Sequence, residues 1–219
     1  MAAFSNDKDL LRCEAAVFGD LHFPWQVRCA GEGGVLSGAT FAAAGVDFDA
    51  AGVQAGGVLY VRSADGSVDA VYEIVSADAP GQLTVSVLRG DDADPPVAPP
   101  AHDALHWRIS TFDPQAQQVA LELTAYFGLR PGRPDSAWGA DDVVDTTPLR
   151  QASVYGVLAN VYATCADGDR DAHGLWTKSR HYRQLYERAR RRCRISIDAG
   201  GDGVIEKRIA GGSAALVRD

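Results

Sequence analysis

The chain has no apolar run approaching the ~18 residues that a membrane span requires, and its opening residues, MAAFSNDKDL, contain no apolar signal core. It is therefore expected to be neither exported nor embedded in a membrane. Its four cysteines, Cys13, Cys29, Cys165 and Cys193, form no C-x-x-C pair. That spacing argues against a zinc knuckle or disulfide framework and for reduced, buried thiols in a cytosolic setting. There is no G-K-[ST] phosphate loop, and the glycines 31, 33 and 34 miss the third glycine of a dinucleotide fingerprint, so residues 31–36 read most simply as a turn. No nucleophile elbow, Cys-His pattern or convergent acid/base set is visible either. The expectation is a non-enzyme without metal or cofactor.

What is present is a chain of 219 residues, 46% apolar, which is enough for one substantial core plus a smaller inserted module. Its net charge of −8 is unevenly placed: residues 1–150 carry 9 Lys/Arg against 21 Asp/Glu, and residues 151–219 carry 12 against 8. Two regions of opposite sign face different partners, or each other. An acidic chain is repelled from a phosphate backbone except at a localised patch, so affinity of the whole protein for DNA is not expected.

Ser5 or Asn6 can cap a helix reaching about residue 18. From 20 to 110 the pattern changes to short β-rich runs at 58–61, 68–75, 83–88 and 105–110, separated by Gly, Asp and Pro turns. A proline-rich stretch at 91–103 cannot enter a sheet interior. Helical periodicity resumes at Asp113-Pro114 and stops at Gly128, and Thr147-Pro148 opens a second helix. That helix is apolar almost all round, and in a core of about four helices some of its cover is expected from another subunit. A third, spanning about 172–194, sets Leu175, Ser179, Tyr182, Leu185, Tyr186, Ala189 and Cys193 on one stripe and its arginines outward. Residues 198–219 are too Gly-rich to fold alone.

This reads as an α+β protein, a small helical bundle core (1–19 and 111–197) with an inserted antiparallel β module (20–110) and an extended C-terminal tail (198–219). The order is a short first helix, a β insertion, a helix opening Phe112-Asp-Pro, and a Thr-Pro-Leu-Arg-Gln-Ala helix leading to the Tyr182/Tyr186 arginine helix. It resembles the head-tail adaptor (head-completion, or neck connector) proteins of tailed bacteriophages. The likeness covers residues 111–219 and, more loosely, the first helix, while the β module is larger than the short loop of the minimal family pattern. The resemblance implies a structural virion protein, assembled in the host cytoplasm and placed in the neck between capsid and tail. It implies a ring of typically twelve copies connecting the portal to tail or stopper proteins and lining the DNA passage, with non-specific DNA contact and a C-terminal segment docked into the portal.

An interface of this kind draws on some of Arg180, Arg183, Arg188, Arg190, Arg191, Arg192 and Arg194 pairing with carboxylates of a neighbour or of the portal. Leu216, Val217 and Arg218 form a strand-capable end after Gly-Gly, suited to adding onto a partner's sheet edge. The segment from Asp198 to Glu206 resembles a calcium loop, but Gly200 replaces one ligand and Ile209 sits where a bidentate Glu is needed, so an acidic turn is the simpler reading. His102 and His106 have helical ligand spacing but lie by the Pro-rich loop in a predicted strand, as ordinary histidines; His22, His173 and His181 have no evident partner. The alternatives are a carbohydrate- or protein-binding β module using Trp25 and Trp107, and, less favoured, a hydrolase. A helix-turn-helix is disfavoured because no short helix precedes the basic one by a three- or four-residue turn.

Overall fold

The computed structural model describes residues 3–167 and 172–211. The chain divides into two units, Asn6–Phe112 and Met1–Ser5 with Asp113–Asp219. The first is built from β1 (Val27–Ser37), β2 (Thr40–Ala42), β3 (Val58–Arg62), β4 (Asp69–Ala79), β5 (Gln82–Ser86) and β6 (His102–Ser110), preceded by α1 (Asp7–Cys13) and α2 (Ala16–Gly19). The strands pair antiparallel in the order β1-β2-β5-β4-β3-β6, and β6 returns to β1, which closes a barrel.

Alternation sends Leu83 and Val85 of β5 and Leu105, Trp107 and Ile109 of β6 inward. Phe41, Phe48 and Trp107 meet in the interior with ring centroids 5.7–6.2 Å apart. The residues read as a turn, 31–36, lie instead within β1, an eleven-residue strand. A Cβ on Gly34 would sit 2.7 Å from the Phe41 ring and 2.9 Å from Trp107, and one on Gly31 would sit 3.0 Å from Trp107. These glycines are absent side chains that make room for an indole.

The expected bundle core carrying an inserted β module is thus overturned. The β-rich segment is a closed barrel with its own aromatic core, every strand has two partners, and no helical bundle is needed to shield an open edge. α1, expected at an edge of the helical core, packs on β3 and β4. Asn6 caps it in a capping box with Asp9, and Asp7 Oδ1 accepts the Phe112 N–H at 2.8 Å.

Among the described residues, the second unit contains α3 (Asp113–Phe127), α4 (Thr147–Asp167), α5 (His173–Arg192), β7 (Arg194–Ile197) and β8 (Lys207–Ala210). α3 begins at the predicted Asp-Pro and ends before Gly128, whose φ of 70° suits a residue without Cβ. α4 packs against both α3 and α5. Most of its apolar residues, including Val154, Val157, Leu158 and Val161, are buried within the single chain, with Tyr155, Ala163 and Cys165 half-buried, so most of the cover expected from another subunit is supplied by the chain itself. At Gly156 the three helices converge, because a Cβ there would lie 2.8 Å from Val119 of α3 and 3.2 Å from Tyr186 of α5.

The described part of the region expected to be an extended tail, residues 198–211, turns back on itself, and β8 pairs antiparallel with β7, burying Ile195 and Ile197. On the other edge of β7, Val144 N–H donates to Ser196 O at 3.0 Å and Asp198 N–H to Asp142 O at 2.9 Å.

Candidate binding surface on the helical unit

The arginines of α5 fall into two groups. Arg183 and Arg190 are used inside the unit: Arg190 lies between the rings of Tyr126, 4.6 Å away, and Tyr186, 5.1 Å away. Arg183 donates to Asn160 Oδ1 at 2.9 Å and stands 3.9 Å from Glu122. Tyr186 is buried beneath them, and burial first, then the nearby Glu122 carboxylate, push its phenol up to about 12. Arg191 makes a 3.9 Å pair with Glu187 one turn earlier, an exposed contact of small energetic value.

The second group is turned outward. Arg188 and Arg192, one turn apart on α5, and Arg194 at the start of β7 line a groove of about 560 Å³ with Gln151 and Tyr155 of α4 and Leu185. Among the described residues, no acidic one lines it. Among the described residues none of these three guanidiniums has a hydrogen-bond or ion-pair partner. Gln151 donates to the Tyr155 hydroxyl at 3.2 Å, which orients the phenol at the groove wall. At one end the Cys193 thiol donates to Pro148 O at 3.0 Å, and burial pushes its pKa up. Such a thiol is a packing group rather than a nucleophile. A second cleft, of about 550 Å³, contains Arg130 together with Asp141, so its charge is offset locally. What distinguishes the arginine groove is an unbalanced positive charge over a partly apolar floor.

Arg180 is exposed on α5, away from this groove lining. Leu216, Val217 and Arg218 lie outside the described residues. Pro148, Gln151 and Tyr155 were not expected to belong to a site. Their i, i+3, i+7 spacing puts them on one helical face, but only the antiparallel packing of α4 and α5 joins that face to the arginines.

The other candidates resolve individually. In the β7–β8 loop, Asp198 accepts the Gly201 and Gly203 N–H groups at 2.7 and 2.8 Å, and Glu206 accepts those of Ala199 and Gly200. These carboxylates shape the turn. Among the described residues no group of three or more His, Cys, Asp or Glu is arranged to hold a metal. His102 and His106 share β6, where four residues span about 13 Å, too far for one ion. His106 faces Glu32 at 3.4 Å on the surface. His22 has its pKa lowered by burial and then by Arg108. Trp107 is core, whereas Trp25 is 74% exposed and stacks on Phe23 at 5.3 Å. Compared with family models, curated proteins and solved structures, the chain finds no match.

Proposed function

We propose that this chain is a structural adaptor of a tailed-phage virion, an oligomeric ring in the neck that joins the portal to tail or stopper proteins around the DNA passage. The observation that carries the proposal is the groove of Arg188, Arg192 and Arg194, three guanidiniums with no acidic partner among the described residues, on a chain of net charge −8. An unpaired cationic concavity of this kind is suited to a charged protein neighbour. Support comes also from the order of α3, α4 and α5, which keeps the helix sequence on which the resemblance to neck proteins rests. DNA contact would be a weak, non-specific addition, since an acidic chain is repelled from phosphate beyond the patch.

The test is co-expression with the portal protein of the virion to which this reading assigns the chain, followed by electron microscopy of the purified complex. The expected result is a ring of this protein stacked on the portal. If the two proteins separate at low salt and no ring is seen, the adaptor assignment fails. Arg188→Glu with Arg192→Glu is the informative variant, because Arg190 is held between two tyrosines and its loss would also loosen the fold.

A second reading is favoured by the exposed Trp25, whose ring lies on Phe23 at the barrel's entry segment like a platform for a flat ligand. A barrel used as a carbohydrate-binding module would show quenching of tryptophan fluorescence by oligosaccharide that Trp25→Ala removes.

A further inference from the structure

The barrel unit carries 6 Lys/Arg against 15 Asp/Glu and presents one built, acidic projection. Residues 91–98, Asp-Asp-Ala-Asp-Pro-Pro-Val-Ala, are all exposed, and Val97 has 54% of its surface in solvent. The projection is nevertheless held firmly at its base. Arg89, buried with the fully buried Glu73 as its ion-pair partner, donates to the carbonyls of Asp92 at 3.0 Å and Asp94 at 2.6 Å. Further along, Val97 N–H donates to Ser86 Oγ at 2.8 Å, Val87 N–H donates to Val97 O at 2.9 Å, and Pro99 is buried. A buried Glu–Arg pair is an expensive device, and here its second role is to fix the backbone of a loop whose outer side covers nothing.

The three aspartates differ. Asp92 is taken by Lys8 at 2.6 Å and Arg12 at 3.1 Å. Among the described residues Asp91 and Asp94 each accept only a backbone N–H inside the loop, from Ala93 and Asp91 respectively, and both side chains are exposed. The loop therefore offers two carboxylates, a stiff Pro95-Pro96 step and one exposed valine. The arginine groove of the helical unit offers the complementary set: three guanidiniums with no partner among the described residues, beside Tyr155 and Leu185. Aromatic-lined grooves accept stiff proline segments because little entropy is lost on docking.

We propose that the acidic proline loop of one copy seats in the Arg188/Arg192/Arg194 groove of the next. The two patches are different surfaces of the same chain, so the contact is head-to-tail and closes into a ring if its rotation allows. This rests on the oligomeric part of the function proposed above and supplies the contact that part requires. Duplex DNA is the less suited occupant, since the groove is a small concavity with an apolar floor on an acidic protein.

The experiment is sedimentation velocity of the full chain over a concentration series at low and high salt. It compares wild type, Arg188→Glu/Arg192→Glu, and Asp91→Lys/Asp94→Lys, each checked for native circular dichroism, with the corresponding double-alanine variants as a second, milder pair. Wild type is expected to self-associate at low salt and dissociate at high salt. Each reversal should weaken association at least about tenfold, and an equimolar mixture of the two reversed proteins should associate again, because each restores the other's partner. A wild-type chain that stays monomeric, or a loop variant that associates like wild type, overturns the proposal while leaving a portal-bound adaptor possible. Salt-dependent duplex binding lost only in the arginine variant, with self-association intact in both, assigns the groove to DNA and also overturns it. Self-association through this contact without any binding to portal would instead remove the adaptor function and keep the interface.

Discussion

Gly156 shows how little of a residue's role lies in its own chemistry. In an exposed helix a glycine costs up to about 1 kcal/mol relative to alanine, so from the sequence alone Gly156→Ala is expected to stabilise. In the fold, the added Cβ would lie 2.8 Å from Val119 and 3.2 Å from Tyr186. Overpacking of this kind costs about 1–3 kcal/mol, which exceeds the propensity gain. Gly156→Ala should therefore lower the urea midpoint of the helical unit, and a raised midpoint would show that Val119 and Tyr186 can move aside. Gly31 and Gly34 follow the same logic in the barrel: their lack of side chains hid a strand, because the alternation that marks one is carried by Cβ atoms they do not have. The arginines were legible as a set and unreadable as individuals. Arg183 and Arg190 face the tyrosines of their own unit, while Arg188, Arg192 and Arg194 face outward.

At the level of elements, boundaries were readable wherever the sequence carries a cap. Asp113-Pro114 opens α3, Gly128 ends it, and α4 starts at Thr147, whose N–H donates to Asp145 Oδ1 at 2.8 Å. The C-terminal ribbon was not readable, because its four-residue strands are shorter than the surrounding glycine-rich texture and are stabilised by pairing between residues distant in sequence, from Ile197 with Lys207 to Arg194 with Ala210. Its loop depends on Asp198, which caps two backbone amides. Asp198→Ala should cost about 1–2 kcal/mol at about 1 kcal/mol per hydrogen bond. It should appear as faster amide exchange in β8 with α3 and α4 unchanged, and unaltered exchange in β8 would mean that Glu206 alone holds the turn.

For the molecule as a whole, titration should reveal stability limits at both ends of the pH range. Asp92 is held below the ordinary aspartate value of 3.8 by its hydrogen bond from Lys8 first, and Asp145 by its bond from Thr147. A depressed carboxylate contributes stability that is complete above 3.8 and is lost as pH falls through the folded value. At the alkaline end, burial raises Cys29 from 9.0 to about 11 in the barrel and Tyr186 from 10.0 to about 12 in the helical unit. Their contribution is complete below 9.0 and 10.0 respectively and is lost as pH rises toward 11 and 12. His22, whose pKa is lowered by burial and then by Arg108, adds a loss of stability as pH falls below 6.5, so thermal melts should be level only between about pH 7 and 8 and fall on either side, and a melting temperature unchanged to pH 11 would contradict the burial of Cys29. By itself the sequence determined the helix starts, the β-rich character of residues 20–110, the separation of acidic from basic regions and the outward arginine stripe. Each of these follows from local periodicity, caps or composition. Only the tertiary structure decided that the strands close into a barrel, that α4 is mostly covered within its own chain, and which arginines have no partner among the described residues. Those depend on contacts between residues far apart in sequence, β1 with β6 and α4 with α5, which no local pattern encodes.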